Sequence, residues 1–343
     1  LLDTQGPEIR TGHLASDLDL KKGSVISIVV RGESKVEETS IHVDYDDLIS
    51  SVHAGDKITV DNGLINLEVL EKHERMMHCR VLDGGVLKSK RHVNLPGVRV
   101  NLPAITQKDR RDIKFGISRD VDYIALSFVR EATDVLQLKE LLGDKIGKIK
   151  IIAKIEDQEG VNNIKEIIAE VDGVMVARGD LGVEIPQEQV PLVQKKIIAL
   201  ANKAGKPVVI ATQLLETMVE SPTPTRAEVS DIANAIFDGT DALLVTGETA
   251  IGKFPEKVIN VLSRVILETE QTINFDKIHQ PISHQQHTAD AISHATCQIV
   301  NDMDIGIILT LTHSGSTARM IARYKPCLLY TSDAADEEDS VDL

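Results

Sequence analysis

Hydrophobic positions in the middle of the chain come in short unbroken runs. Tyr123-Ile-Ala-Leu-Ser-Phe128, Lys150-Ile-Ile-Ala-Lys-Ile-Glu156, Gly173-Val-Met-Val-Ala177, Pro207-Val-Val-Ile-Ala-Thr212 and Ala242-Leu-Leu-Val-Thr246 are followed by helical periodicity, clearest over 187–204 and 225–237. Strands that are apolar throughout, alternating with helices, predict a parallel sheet covered by helices. Their starts step by roughly 23 to 35 residues, the length of a βα unit. Polar residues gather where these runs end: Ser127, then Lys154 and Glu156, then Arg178 and Asp180, then Thr212, then Thr246 and Glu248. Contributions from many successive strand ends predict a (β/α)8 TIM barrel, since an open sheet would concentrate its site at one switch point. Leu1-Leu-Asp-Thr4 supplies a sixth strand, and the chain opens inside it without Met. The barrel is therefore expected to be incomplete, with its first two strands upstream.

The pattern changes over 11–92. Ser24-Val-Ile-Ser-Ile-Val-Val30, Lys57-Ile-Thr-Val60 and Leu64-Ile-Asn-Leu-Glu-Val-Leu70 are strand-like, with turns at Asp61-Asn-Gly63 and Asp83-Gly-Gly85. This predicts an all-β insertion hinged near Pro7 and Pro103. Beyond about residue 270 the barrel rhythm stops. Positions 273–287 read as a linker rather than a metal site; 288–300 and 316–324 are helix-like and 305–310 strand-like. That piece is too short for an independent α/β domain and reads as truncated. The final stretch, from Cys327 on, carries six acids and no base and is expected to be a disordered, non-native tail.

Composition narrows the function classes. Hydrophobic residues make up 42% of the 343 and charged residues 27%, which gives ample core. Aromatics are 3% with no Trp, so the core is aliphatic and stacking on single-stranded nucleic acid is disfavoured. The net charge of −15 argues against nucleic-acid or anionic-membrane partners, but leaves room for a local basic pocket. Cys79, Cys297 and Cys327 have no metal spacing and form no disulfide framework, which points to a cytoplasmic setting.

Lys154-Ile-Glu156 places a cation and a carboxylate on one side of a strand. An arbitrary Lys-x-Glu is more often a surface ion pair. The next strand, however, ends in Val176-Ala-Arg-Gly-Asp-Leu-Gly182, whose Asp180 adds a second carboxylate between two glycines. Two carboxylates suit Mg2+, and Lys154 would face the same anion, so the three read as a site for moving a phosphoryl group or an enolate. Thr212, alone a plausible helix cap, becomes a candidate to orient substrate or deliver a proton. Asp3 alone could be a turn cap.

These motifs, together with Asp3-Thr-Gln-Gly-Pro-Glu-Ile-Arg-Thr-Gly12, Val93-Asn-Leu-Pro-Gly97, Pro224-Thr-Arg-Ala-Glu-Val-Ser-Asp231, Asp238-Gly-Thr-Asp241 and Gly247-Glu-Thr-Ala250, resemble the pyruvate kinase family from Leu1 to about Pro326. The resemblance implies domains at 1–6 with 104–270 (barrel), 7–103 (β-barrel lid) and 271–327 (truncated effector domain), leaving 328–343 as the tail. It implies phosphoryl transfer from phosphoenolpyruvate to ADP, giving pyruvate and ATP, in a cytoplasmic homotetramer. Lys154 would neutralise the transferring phosphoryl; Gly179, Asp180 and Thr212 would hold the substrate. Glu156 and Asp180 would hold Mg2+ or Mn2+, and Asp3 and Thr4 would hold K+, with Glu8 matching the potassium-dependent form of the motif. Arg10, Lys90 and Arg91 would meet the nucleotide, although Arg91-His92 departs from the usual Lys-Gly. Thr312, Ser314, Gly315, Ser316 and Thr317 resemble a loop for a phosphorylated effector, and equally an ordinary βα turn.

The family's Arg, Asn and Ser from an upstream strand are not in this sequence, so the chain alone is expected to be nearly inactive. Two other readings stand beside this one. A Mg-dependent lyase or aldolase of pyruvate-like enolates would need no nucleotide lid. A non-catalytic effector-binding paralogue would have no use for Lys154, Glu156, Asp180 and Thr212 together.

Overall fold

The computed structural model describes residues 1–30, 40–61, 63–98, 102–273, 288–303, 305–310 and 315–325. The apolar runs form one six-stranded parallel sheet whose spatial order is the chain order: Leu2–Asp3, Tyr123–Leu126, Lys150–Ile155, Gly173–Ala177, Val208–Ala211 and Ala242–Leu244. They are called the first to sixth strands below. Sequential parallel neighbours joined by helices are the winding of a (β/α) barrel, as the polar strand ends predicted. The register sets Lys154 beside Met175 and Ala211 beside Leu244, so the ends of successive strands face one rim.

Two apolar layers enclose the strands. On the helix side lies a large aliphatic core that includes Ile124, Ile151, Ile155, Val174, Val176, Ile197 and Ile210. On the other side Ala125, Met175 and Ala211 form a small inner cluster with Ile152, Val209 and Leu244. A continuously apolar strand is what burial on both faces requires. The predicted helix over 187–204 is a short 3-10 turn, Gln187–Gln189, leading into the helix Val190–Lys203. Thr225 caps the helix Arg226–Phe237 through a reciprocal box with Glu228.

The insertion has its own core, from Ile9 and Leu20 to Val93 and Leu95. Seven strands form one sheet, in the order Ile9–Arg10, His92–Asn94, Lys57–Val60, Ile65–Lys72, Met76–Asp83, Val25–Val30, Ser40–Val43. The two ends of that sheet meet. Thr11 bridges Val43, and the Gly12 amide donates to the His42 carbonyl at 2.7 Å, which closes the sheet into a barrel. A Cβ on Gly12 would sit 3.0 Å from the His42 Cβ, so the closure calls for glycine.

Chain leaving and chain re-entering the parallel sheet are tied by one buried carboxylate. Asp109 accepts the amides of Gln5 (3.0 Å) and Gly6 (3.2 Å) on one oxygen, and the amide and hydroxyl of Thr106 on the other (3.0 and 2.6 Å). Gly6 has φ +74°, and a Cβ there would meet Phe128 and Ser127 at 2.9 Å.

Helices Thr288–Met303 and Ser316–Ala322 appear where the sequence predicted them. The strand expected at 305–310 does not: it joins no sheet among the described residues, and Ile307 and Leu309 are exposed. A strand is stabilised by a neighbour's ladder and side chains, and none is offered there among the described residues. The linker at 274–287, the tail from 326, Thr312 and Ser314 lie outside the described residues.

Candidate active site

The rim of the parallel sheet gathers the charged strand ends into one cluster. Lys154 projects from the third strand, and its Nζ lies 3.1 Å from Asp3, 3.2 Å from Glu156 and 2.9 Å from the Ser127 hydroxyl. The side chain is 13% exposed and Glu156 is 1% exposed, so this is no surface ion pair. Burial disfavours the Lys154 charge, but Glu156 and Asp3 outweigh it and hold the ammonium above its ordinary range. Glu156 is pushed up to about 7, first by burial and then by the Asp180 carboxylate, against the pull of Lys154 and of the Phe128 amide, which donates at 2.7 Å. Phe128 holds φ +51°; its amide helps to fix the carboxylate.

Asp180 was expected at a strand end. It sits instead in the first turn of a short helix, Arg178–Glu184, that starts directly after the fourth strand. Burial raises its carboxyl, while His92 and Lys154 oppose the shift. His92, from the inserted barrel, approaches Asp180 at 3.9 Å; burial lowers its imidazole, against the pull of Asp180 and Glu8. Asp180 raises the proton affinity of Glu156, and Glu8 that of Asp180, so the cluster is short of positive charge. Their all-oxygen donor set fits Mg2+ or Mn2+.

Thr212 caps no helix. Its hydroxyl accepts the Gly179 amide at 2.7 Å, which leaves the hydroxyl proton as its donor. Thr212 and Gln213 are both left-handed, at φ +66° and +52°, a conformation that costs non-glycine residues. Arg178 is the residue that holds them. Buried to 8% exposure, its guanidinium donates to the Thr212 carbonyl at 3.0 Å and the Gln213 carbonyl at 2.9 Å, and pairs with Asp231 at 2.5 Å. Beyond the sixth strand the buried Glu248 fixes backbone in the same way, accepting the Leu215 and Thr246 amides at 3.0 and 2.9 Å.

Thr4 is buried, its carbonyl accepting the Ser127 hydroxyl at 2.7 Å, while Asp3 is half exposed. The carbonyl's second lone pair and the Asp3 carboxylate remain compatible with a monovalent cation. Arg10, Lys90 and Arg91 are brought together on the lid: Arg10 pairs with Glu8 at 2.5 Å and donates to the Lys90 carbonyl at 3.0 Å. Arg91 lies 3.4 Å from Asp61, and its buried Nε has no partner among the described residues. Gly315 caps the helix Ser316–Ala322 at φ +69°, with Thr317 in its first turn.

One contact between lid and barrel was not anticipated from the sequence. Asn94 Nδ2 donates to Glu184 at 2.7 Å, and burial pushes Glu184 up to about 7. Asn94 sits inside a motif already singled out and Glu184 two residues beyond another, which was the available signal. They line a cavity of about 350 Å3 with Pro7, His92, Phe128 and Arg130, flanking the Lys154 cluster rather than containing it.

Comparison with known proteins identifies the family and the fold. The family described as "Pyruvate kinase, barrel domain" matches residues 1–259, and "Pyruvate kinase, alpha/beta domain" matches 290–333. A pyruvate kinase of Geobacillus stearothermophilus is 49% identical over 95% of this chain and 56% of its own length. That of Clostridium acetobutylicum is 45% identical over 95% of this chain and 70% of its own. A crystal structure of a pyruvate kinase from Cryptosporidium parvum superposes with a TM-score of 0.88 at 40% identity, covering 95% of this chain and 69% of that one. The chain spans about half the length of the first of these relatives. Matched over most of its residues in sequence and fold, the chain belongs to the pyruvate kinase family.

Proposed function

We propose that this site transfers a phosphoryl group from phosphoenolpyruvate to ADP, giving pyruvate and ATP, as the last step of glycolysis in the cytoplasm. The observation that carries it is the buried Lys154 ammonium, bridged to Asp3 and Glu156 beside the Asp180 carboxylate. Glu156 and Asp180 would hold a divalent cation, and Asp3 with the Thr4 carbonyl a potassium ion. When bound, the divalent cation supplies charge neutralisation to the phosphoryl and enolate oxygens.

The chain's own residues do the positioning. Lys154, held by three partners, presents a fixed positive charge to the phosphoryl group in transit, where charge neutralisation and alignment are most of the catalysis. The start of the helix Arg178–Glu184, with Gly179, Asp180 and Thr212, would receive the substrate carboxylate. The Thr212 hydroxyl, locked by the Gly179 amide, has a proton to give towards the enolate carbon. Arg10, Lys90 and Arg91 would bring the nucleotide phosphates in from the lid. Lid closure keeps water from the phosphoryl group, so ADP is the acceptor. Gly315 and Thr317 would belong to a loop for a phosphorylated effector in the homotetramer.

The test joins this chain to the amino-terminal segment of the Geobacillus relative. Pyruvate formation from phosphoenolpyruvate is expected to require ADP and to fall roughly 10²–10³-fold in Lys154→Met. Pyruvate and inorganic phosphate formed without ADP, the phosphoryl group passing to water, would overturn ADP as the acceptor, and pyruvate released from an unphosphorylated 2-oxo acid by C–C cleavage would favour a lyase. Mn2+ binding without turnover tests the metal assignment separately from the reaction: Asp180→Asn should abolish it, and unchanged binding would remove that assignment.

A further inference from the structure

The lid carries a second cluster of ligating side chains, far from the rim. Glu71 and His78 are directly opposite one another in the hairpin formed by Ile65–Lys72 and Met76–Asp83, and His73 lies two residues beyond Glu71. Cross-strand partners share a face, as do residues i and i+2, so this register places all three side chains together. The His73 amide donates to the Met76 carbonyl at 2.7 Å, which closes the turn between them. Glu71 Oε1 is 3.9 Å from His73 Nε2 and 3.9 Å from His78 Nε2.

We propose that Glu71, His73 and His78 form a binding site for a first-row divalent transition metal ion such as Zn2+. The three ligand atoms lie within 4.8 Å of one another, so a point equidistant from them is no more than about 2.5 Å from each. Zn–N and Zn–O bonds are about 2.0–2.2 Å, so small side-chain rotations complete the site. Two imidazoles and one carboxylate select Zn2+, Co2+, Ni2+ or Cu2+ over Mg2+, which takes oxygen ligands.

One ligand has an orienting partner. His78 Nδ1 is 3.2 Å from the Ser27 hydroxyl, its cross-strand neighbour on the other side. In the tautomer whose Nδ1–H donates to Ser27, the Nε2 lone pair points towards Glu71, the arrangement metal-bound histidines use. Glu71 and His73 are more than half exposed, so an ion can enter and water can fill the remaining coordination. The strand from Ile65 to Lys72 spans roughly 23 Å at about 3.3 Å per residue, and its Ile65 end follows Gly63, which faces Val183 of the barrel. The site therefore sits at the end of the lid away from the Lys154 cluster, and its ion would clamp the hairpin turn.

Zn2+ titration of the whole chain by calorimetry, with excess Mg2+ throughout, tests the site. One Zn2+ per chain should be lost in the His73→Ala, His78→Ala double variant, and Glu71→Gln should weaken that binding about tenfold or more. Co2+ should give a visible spectrum characteristic of nitrogen ligation with low coordination number, lost in the double variant. The melting temperature should rise with Zn2+ in the unmodified chain and not in the double variant. Circular dichroism without metal verifies that the variants fold, and Glu71→Gln changes an exposed residue, so a folding defect in one variant does not remove the test. Unchanged Zn2+ stoichiometry in the double variant, or an all-oxygen six-coordinate Co2+ spectrum, would overturn the proposal.

Discussion

On the barrel side of the cleft, Lys154 is 13% exposed and divides its ammonium among Asp3, Glu156 and Ser127. On the lid side, Arg10 is 41% exposed against Glu8, and Arg91 is 38% exposed against Asp61. The same kinds of charge are held in two dielectric settings. A pair in the interior cannot lose one member without stranding the other, whereas a pair in water contributes about 0–1 kcal/mol. The barrel side is thus built as a fixed electrostatic frame, and the side of the inserted barrel as a set of charges that can exchange their present partners at little cost, as the proposed nucleotide contact would require.

The sharpest break in that comparison is Lys154→Met in the chain joined to the amino-terminal segment of the Geobacillus relative. Removing a preorganised charge aimed at developing charge costs roughly 10²–10³-fold in turnover. Glu156 loses its counter-charge as well and takes up a proton more readily. Steady-state kinetics should show the loss in kcat; a variant whose defect appeared only in KM would place Lys154 in ground-state binding instead.

Arg178→Ala should be next, this time in stability. Its guanidinium is the shared partner of the Thr212 and Gln213 carbonyls and of Asp231. Stranding those carbonyls, at two left-handed residues, should cost about 3 kcal/mol in urea unfolding. A change within about 0.5 kcal/mol would show that the backbone holds this turn by itself.

How far the sequence reaches follows the same division. Continuous apolar runs were enough to place five of the six parallel strands, because burial on both faces is a composition signal; the two-residue strand Leu2–Asp3 was read from Leu1-Leu-Asp-Thr4 instead. Lys154, Glu156, Asp180 and Thr212 were legible because they end consecutive runs, and the structure does bring them to one rim. The helical seat of Asp180 was not legible: Arg178-Gly-Asp-Leu-Gly182 lacks an apolar period long enough to predict a turn of helix. Nor was the Thr212–Gly179 bond, since two left-handed residues in Ala211-Thr-Gln-Leu214 contradict local preference and are held by Arg178, a residue distant in sequence. The strand expected at 305–310 failed for the opposite reason. Its β-branched residues promise a strand, but pairing is a tertiary property that no local run encodes.

Where lid meets barrel, the Asn94–Glu184 contact should be pH-sensitive. Burial raises Glu184 from 4.5 to about 7, so between those values the folded state binds more protons than the unfolded one. Stability from this group is complete below about pH 4.5, declines as pH rises through 7 and is flat beyond. Glu184→Gln removes that slope. Urea titrations at pH 5 and pH 8 should show the unmodified chain losing about 2 kcal/mol more than the variant over that interval; equal losses would mean that the carboxyl is solvated in the folded protein.

The smallest effect belongs to the lid charges, and it is informative because stability and binding should separate. Arg91 pairs with Asp61 at 3.4 Å in a half-exposed setting, so Arg91→Lys should change unfolding free energy by no more than about 0.5 kcal/mol. Its buried Nε has no partner among the described residues, and an unpaired buried donor is costly unless a ligand satisfies it. Lysine keeps the charge but loses the planar fork that meets phosphate with two parallel bonds. The KM for ADP should therefore rise severalfold while kcat and the KM for phosphoenolpyruvate stay put. If both KM values moved together, Arg91 would be acting on the closed position of the whole lid rather than on the nucleotide.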